Sequence, residues 1–187
     1  MLKKEIRVIG IDDSAFNKSQ KSKVLVVGVI MRGGEWVDGI LSTKVKIDGN
    51  DSTSKIIQMI SNCRFRTQLR CIFLNGIAVA GFNVMDIQKI SKETHIPVIV
   101  IIRKNPDMET IKKTLIKINK KQKIKLIEKA GNVFKVESIF VQLCGIDLEM
   151  AKKIVKLTCT RSFIPEPLRI AHLVATGIVS GESKGRA

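Results

Sequence analysis

Five short runs of aliphatic and β-branched residues constrain this chain most. They are IRVIGID (6–12), KVLVVGVIM (23–31), VDGILSTKVKI (37–47), LRCIFLN (69–75) and HIPVIVIIRK (95–104). Each has the length and the Val/Ile content of a buried strand. The first three are joined only by the polar segment NKSQKSK (17–23) and the turn RGGEW, so they predict an antiparallel meander. In STSKIIQMISNC the period changes: Ile56, Ile57, Met59 and Ile60 share a helical face, with Asp51 or Ser52 placed as cap. The fourth run, a helix over GFNVMDIQKISKET (81–94) and the fifth run then form a strand–helix–strand unit. The sum is an α/β fold: a mixed five-stranded sheet, its first three strands antiparallel, flanked by helices. A basic helix through METIKKTLIKINKKQ, a hairpin-like region over 124–143, and helices over GIDLEMAKKIVKLTC and PEPLRIAHLVATGIV complete the chain. With 187 residues, no repeat and no linker, residues 1–187 read as one domain.

Charge narrows the partners. Lys and Arg number 33 against 17 Asp and Glu, a formal charge of +16. Such a surplus favours a polyanion such as DNA or RNA through phosphate contacts, the alternative being a solvated basic surface. Arg103, Lys104, Lys112 and Lys113, in the basic stretch 103–125, are the candidate phosphate contacts. Aromatic residues make up only 4%, with no Tyr, which argues against a binder that stacks bases on aromatic platforms. Cys63, Cys71, Cys144 and Cys159 lie in apolar surroundings without metal-ligand spacing, and read as reduced core residues of a cytoplasmic protein. The N-terminal apolar run is too short for a signal peptide, and no stretch is long enough to span a bilayer.

The acids suggest chemistry. Asp12 and Asp13 end the first strand, Asp51 opens the first helix, Asn75 ends the fourth strand, and Glu166 and His172 belong to the last helix or its approach. Groups at strand ends gather at one sheet edge in α/β folds. Clustered carboxylates there hold Mg²⁺ or Mn²⁺, which polarise a phosphate and activate water. Each residue also has a structural reading: Asp12 and Asp13 as a turn, Asp51 as a helix cap, Asn75 as a turn residue, His172 as a packed histidine. Asp38 and Asp86 read as solvated, Asp48 and Asp107 as turn or cap residues.

Five segments together carry a resemblance. GIDDSAF (10–16), GNDST (49–53), LNGIAVAGFNVMDI (74–87), PVIVIIRK (97–104) and PEPLRIAHLVATGIVSGESKGRA (165–187) resemble the archaeal endonuclease dU family. That family is similar to endonuclease V, a ribonuclease H-like enzyme that cuts nucleic acid near deaminated bases with Mg²⁺. The resemblance implies a ribonuclease H-like fold and a role in DNA repair. It implies that Asp12 is the first-strand metal ligand, that Asp51 is the helix-borne acidic ligand, and that His172 faces the active site. Asn75 falls where endonuclease V has a metal-binding Asp, so one negative charge is lost. Asp13 has no counterpart; it is a candidate for a second ion or for orienting water. The strand-separating wedge of endonuclease V has no equivalent in KVKIDGN (44–50), so lesion recognition does not carry over.

The expectation is a divalent-metal-dependent endonuclease acting on DNA or RNA, with deaminated bases such as uracil as candidate targets. Asp12, Asp51 and His172 would be catalytic, and Asp12, Asp51, Asn75 and Asp13 would hold metal. The alternative is a nucleic-acid-binding protein of the same fold with weakened catalysis, for which Asn75 speaks.

Overall fold

In the computed structural model, residues 3–17 and 23–185 are described. Most of the polar segment expected to be flexible, residues 18–22, lies outside them. The first three strands form the expected meander. β1 (Arg7–Asp13) pairs antiparallel with β2 (Lys23–Arg32), and β2 with β3 (Trp36–Lys46). After α1 (Ser52–Ser61) and a 3-10 turn, β4 (Leu69–Asn75) enters beside β1 in parallel. β7 (Val98–Ile102) continues in parallel beside β4.

Two expectations change. GFNVMDIQKISKET is not helical throughout. Its start belongs to a small hairpin of β5 (Ala78–Val79) and β6 (Asn83–Val84), and α2 begins only at Ile87 and ends at Thr94. Asp86, expected to be solvated, caps it by accepting from the Lys89 N–H, and also pairs with Lys129 at 2.7 Å. The sheet has seven strands, not five, in the order β3-β2-β1-β4-β7-β9-β8. The chain between β7 and the fifth helix holds α3 (Met108–Lys117), a 3-10 turn at Lys121–Lys123, α4 (Ile124–Lys129), β8 (Phe134–Val136) and β9 (Ile139–Cys144). β8 and β9 do form a hairpin, but β9 also pairs antiparallel with β7 and so extends the sheet. IFVQLC shows strand character locally; which edge it joins depends on residues some forty positions away.

The helices cover both faces. Ile9 and Ile11 of β1 pack with Ile56 and Ile60 of α1 and with Ile87 and Ile90 of α2. On the other face, Val8, Phe73 and Ile101 meet Ile154 and Val155 of α5 (Leu148–Thr158). Val27, Val29 and Met31 of β2 meet Ala171 and Ala175 of α6 (Glu166–Ser180). Burial on both faces explains why the central strands read as continuous apolar runs. Cys63 and Cys71 are buried, Cys144 and Cys159 half-buried, and all four are free thiols. Among the described residues no helix is long and apolar enough to cross a membrane.

Two close approaches fix the layers. α6 crosses β1 at Gly10, where an added Cβ would lie 2.3 Å from the Pro167 carbonyl carbon and 2.4 Å from the Leu168 nitrogen. Lys123, only 2% exposed, donates from Nζ to the carbonyls of Asp48, Gly49 and Phe82, tying the β3–α1 turn to the β5–β6 hairpin. Loss of solvation lowers its pKa to about 8.

Gly10→Ala is expected to destabilise the fold by about 1–3 kcal/mol or more, since backbone must move, as read by urea denaturation. Lys123→Met leaves three carbonyls without their donor and should cost about 2–3 kcal/mol near neutral pH. Because Lys123 loses its proton near pH 8 when folded and near 10.5 when unfolded, the unfolded chain binds more protons in between. Stability from this group therefore rises with pH across that window, and the variant should lack the rise.

Candidate active site at the tips of β1 and β4

Parallel pairing sets the site. Ile11 lies level with Leu74, so Asp12 and Asn75 follow at the ends of adjacent strands. Strand alternation sends Asp12 to the face of α6, the side of its β2 partner Val27. Asn75 shares that face with its β7 partner Ile101. Asp13 points to the opposite face, where its Oδ2 accepts from the Ala80 N–H at 2.6 Å.

Asp12 is 3% exposed. Its Oδ1 accepts from the Asp13 N–H at 2.9 Å, and its Oδ2 lies 2.9 Å from His172 Nδ1. His172 Nε2 lies 3.1 Å from the Lys184 carbonyl oxygen. Both partners of the imidazole are acceptors, so the protonated ring, with two N–H donors, satisfies both. The bond to Asp12 accordingly raises the His172 pKa, outweighing burial and the nearby Arg103 guanidinium. Asp13 is pushed up to about 6, first by burial and also by the adjacent Asp12 carboxylate, with the Ala80 N–H opposing. The half-buried Asn75 side chain makes no hydrogen bond to another described residue.

The expected residues do not all gather. Asp51 caps α1 by position but not by side chain. Its carboxylate accepts instead from the Lys46 N–H at 3.1 and 3.3 Å and from Asn83 Nδ2 at 2.7 Å. Among the described residues no three His, Cys, Asp or Glu side chains form a group that could hold a metal. The arrangement joins Asp12 and His172 at the strand tips, with Asp13 and Asn75 beside Asp12 in register, and gives Asp51 to the hairpin. Asp48 joins it there, accepting from the Phe82 N–H at 2.7 Å. The three acids thus hold successive positions of one segment: Asp13 at Ala80, Asp48 at Phe82, Asp51 at Asn83.

The expected phosphate contacts also divide. Arg103 lies near His172. Lys104, exposed like Arg103, follows it in the bend after β7. Lys112 and Lys113 lie on α3 in ion pairs with Glu128 (2.6 Å) and Glu109 (2.8 Å). Asp38, expected to be solvated, is held between Arg7 and Arg32. Several organising residues carried no local signal. Asn83, fully buried, bonds Asp51, the Lys46 carbonyl and the Ser52 N–H. Arg169 lies one helical turn before His172 and is gripped by Glu166 at 2.7 Å. Glu166 Oε1 has no hydrogen-bond partner among the described residues.

The family model described as endonuclease dU matches residues 4–179. The chain belongs to the endonuclease dU family. A relative from Methanothermobacter thermautotrophicus, named UPF0215 protein, is 47% identical over the whole of this chain and 94% of its own length. The crystal structure of a protein of unknown function from Archaeoglobus fulgidus is 42% identical with a TM-score of 0.86, covering 92% of this chain and 97% of that one. Endonuclease V of Ciona intestinalis, in complex with a DNA containing an inosine followed by a ribo-adenosine, matches with a TM-score of 0.62 at 20% identity. That match covers 95% of this chain and 87% of that one. At that identity the likeness is one of fold, and the fold of this endonuclease dU family member is ribonuclease H-like.

Asp12→Asn removes the carboxylate that raises the His172 pKa. The imidazole should then titrate closer to its ordinary value, at lower pH than in the wild type, as followed by NMR.

Proposed function

We propose that this protein is a divalent-metal-dependent endonuclease that cleaves DNA or RNA at the Asp12–His172 site. The observation that carries the reading is the buried Asp12 bonded to His172 on one side, at the tip of a strand whose parallel neighbour ends in Asn75, whose side chain bonds no other described residue. The donor set suits a hard cation. Asp12 and Asn75 offer oxygen on one face, and Asp13 adds a carboxyl on the other side of the same strand end. Mg²⁺ commonly uses one or two carboxylates and keeps several waters, so Asp12, with Asn75, would hold Mg²⁺ or Mn²⁺, and Asp13 joins that set only by exchanging its bond to the Ala80 N–H. Bound there, the ion would polarise a phosphate oxygen and make a water acidic. Asp51 joins that set only by exchanging its bonds to Lys46 and Asn83.

The chain's own residues do the rest. Asp12 orients His172 and favours its protonated form, in which the imidazolium can stabilise charge on the scissile phosphate or give its proton to the leaving oxygen. Arg103 adds a second positive charge beside it. Family membership and the fold shared with an endonuclease V crystallised on inosine-containing DNA support a deaminated base, such as uracil, as the target. A nuclease assay across uracil-containing, inosine-containing and undamaged DNA and RNA, with Mg²⁺ and with Mn²⁺, tests the reaction and substrate together.

A second reading has its own observation. Asn75 is neutral, and no three-acid group exists among the described residues, which favours a nucleic-acid-binding protein whose catalysis is weakened. One substitution separates the two. Under the nuclease reading, Asn75→Asp tightens Mg²⁺ or Mn²⁺ binding in calorimetric titration and raises cleavage, whereas Asp12→Asn abolishes both. If Asn75→Asp keeps its melting temperature yet binds metal no better, Asn75 is a strand-end structural residue and the binding-protein reading stands.

A further inference from the structure

A groove of about 670 Å³ runs between α5 and the β8–β9 hairpin. Its rim carries Lys135, Lys153, Lys156 and Arg161. Glu149, also on the rim, is paired with Lys152 at 2.8 Å, which leaves Glu137 as the other carboxylate. A second depression of about 350 Å³ carries Arg103 and Arg169. The two share one divide, formed by Ile139, Ser162 and Phe163. Asp12 and His172 do not themselves line the second depression, but Arg169 precedes His172 by one turn of α6 and the charge of Arg103 acts on His172.

The Phe163 ring stands on that divide and is 54% exposed. Apart from Trp36, on the edge strand β3, every other described aromatic ring is at least half-buried. The loop between α5 and α6 holds Phe163 outward. Ile164 is buried, and the Ser162 hydroxyl bonds both its N–H and its carbonyl at 3.2 Å. A single exposed apolar residue needs no explanation by itself. An aromatic ring between two cationic troughs is the pairing that strand-binding channels use: cations along the backbone and a ring beneath a base.

We propose that this double groove carries an unpaired stretch of a nucleic-acid strand to the Asp12–His172 site, with a base stacked on Phe163 and phosphates on Lys153, Lys156 and Arg161. The inference rests on the nucleic-acid reading of the preceding subsection and adds the conformation of the substrate and its path. A single strand fits because a ring can stack only on a base face left free by its neighbours, and a duplex leaves none along its length. An acidic peptide would satisfy the cations but has no use for the ring.

The test is fluorescence anisotropy of a labelled oligothymidylate of roughly 15 nucleotides, within the span of such channels, in EDTA so that nothing is cleaved. Phe163→Ala should weaken binding by about 5- to 100-fold, the range of base–aromatic stacking, without changing the salt slope. Lys153→Ala with Lys156→Ala should make the log–log salt slope shallower by about 1.4, at about 0.7 per single-strand phosphate contact. In a Trp36→Phe background, Phe163→Trp should restore affinity, and the introduced indole should be quenched as the oligonucleotide binds. Unchanged affinity in Phe163→Ala, or an unquenched indole, overturns the groove. So does a polyglutamate peptide that displaces the oligonucleotide and is itself bound equally well by Phe163→Ala, because the groove is then a site for acidic peptide. If the wild type binds no oligonucleotide, the nucleic-acid reading falls as well. If the wild type binds and only the groove variants are silent, the groove fails alone.

Discussion

The contact of α6 with β1 at Gly10 is the constraint on which the site depends. Backbone meets backbone there with no room for a side chain. Two residues beyond Gly10 comes Asp12; one turn and a little beyond Pro167 comes His172. A rigid helix seated on a rigid strand therefore delivers an imidazole to a carboxylate at 2.9 Å without a loop to position either. Sites built on helices and strands hold their geometry more tightly than sites on loops, and this pair has that support. The Lys184 carbonyl closes the other side of the ring, so its orientation is fixed from both ends.

On the opposite face a second set of acids has been given to architecture. Asp13, Asp48 and Asp51 each accept from the hairpin segment around residues 80–83, and Lys123 donates to carbonyls on both sides of it. The segment follows directly after Asn75 and Gly76, at the mouth of the site. Left-handed backbone at Gly76 and Gly81, with φ of 77° and 83°, lets the chain leave β4 and fold back sharply. A carboxylate bonded to a backbone N–H is a strong contact, and two of them, at Ala80 and Phe82, with the Asn83 side-chain bond to Asp51 beside them, make this loop a wall rather than a flap. The acids that a sequence reading gathers into one metal cluster are thereby divided between the His172 pair and the hairpin.

Charge follows a similar division. The excess of +16 is not spread evenly in its effect. Lysines on α3 are partly offset by ion pairs with Glu109 and Glu128. Near the last helix, Glu166 likewise holds Arg169 in an ion pair, while Arg103 stays close enough to His172 to oppose its protonation. Position, more than number, decides which cations are available to a polyanion.

Much of the frame was legible in the sequence because burial on two faces writes itself as an unbroken apolar run. LRCIFLN matched β4 residue for residue, the antiparallel order of the first three strands followed from their short joints, and Asp12 stood out as the polar end of a buried run. The family resemblance singled out His172 and Asn75 as candidates, and the fold sets the first 2.9 Å from Asp12. Tertiary structure alone decided the rest. That β9 joins β7 and brings the sheet to seven strands is a choice among edges, made by packing against α5 and not by any local pattern. That Asp12 and Asp13 part company is a matter of strand pleat, since neighbours along a strand face opposite ways. That Asp51 binds Asn83 and Lys46, and that Phe163 stands between two basic hollows, depends on which distant segments meet. A sequence specifies the residues that can donate, accept or pack, but a hydrogen bond needs both partners in place, and only the folded chain brings them together.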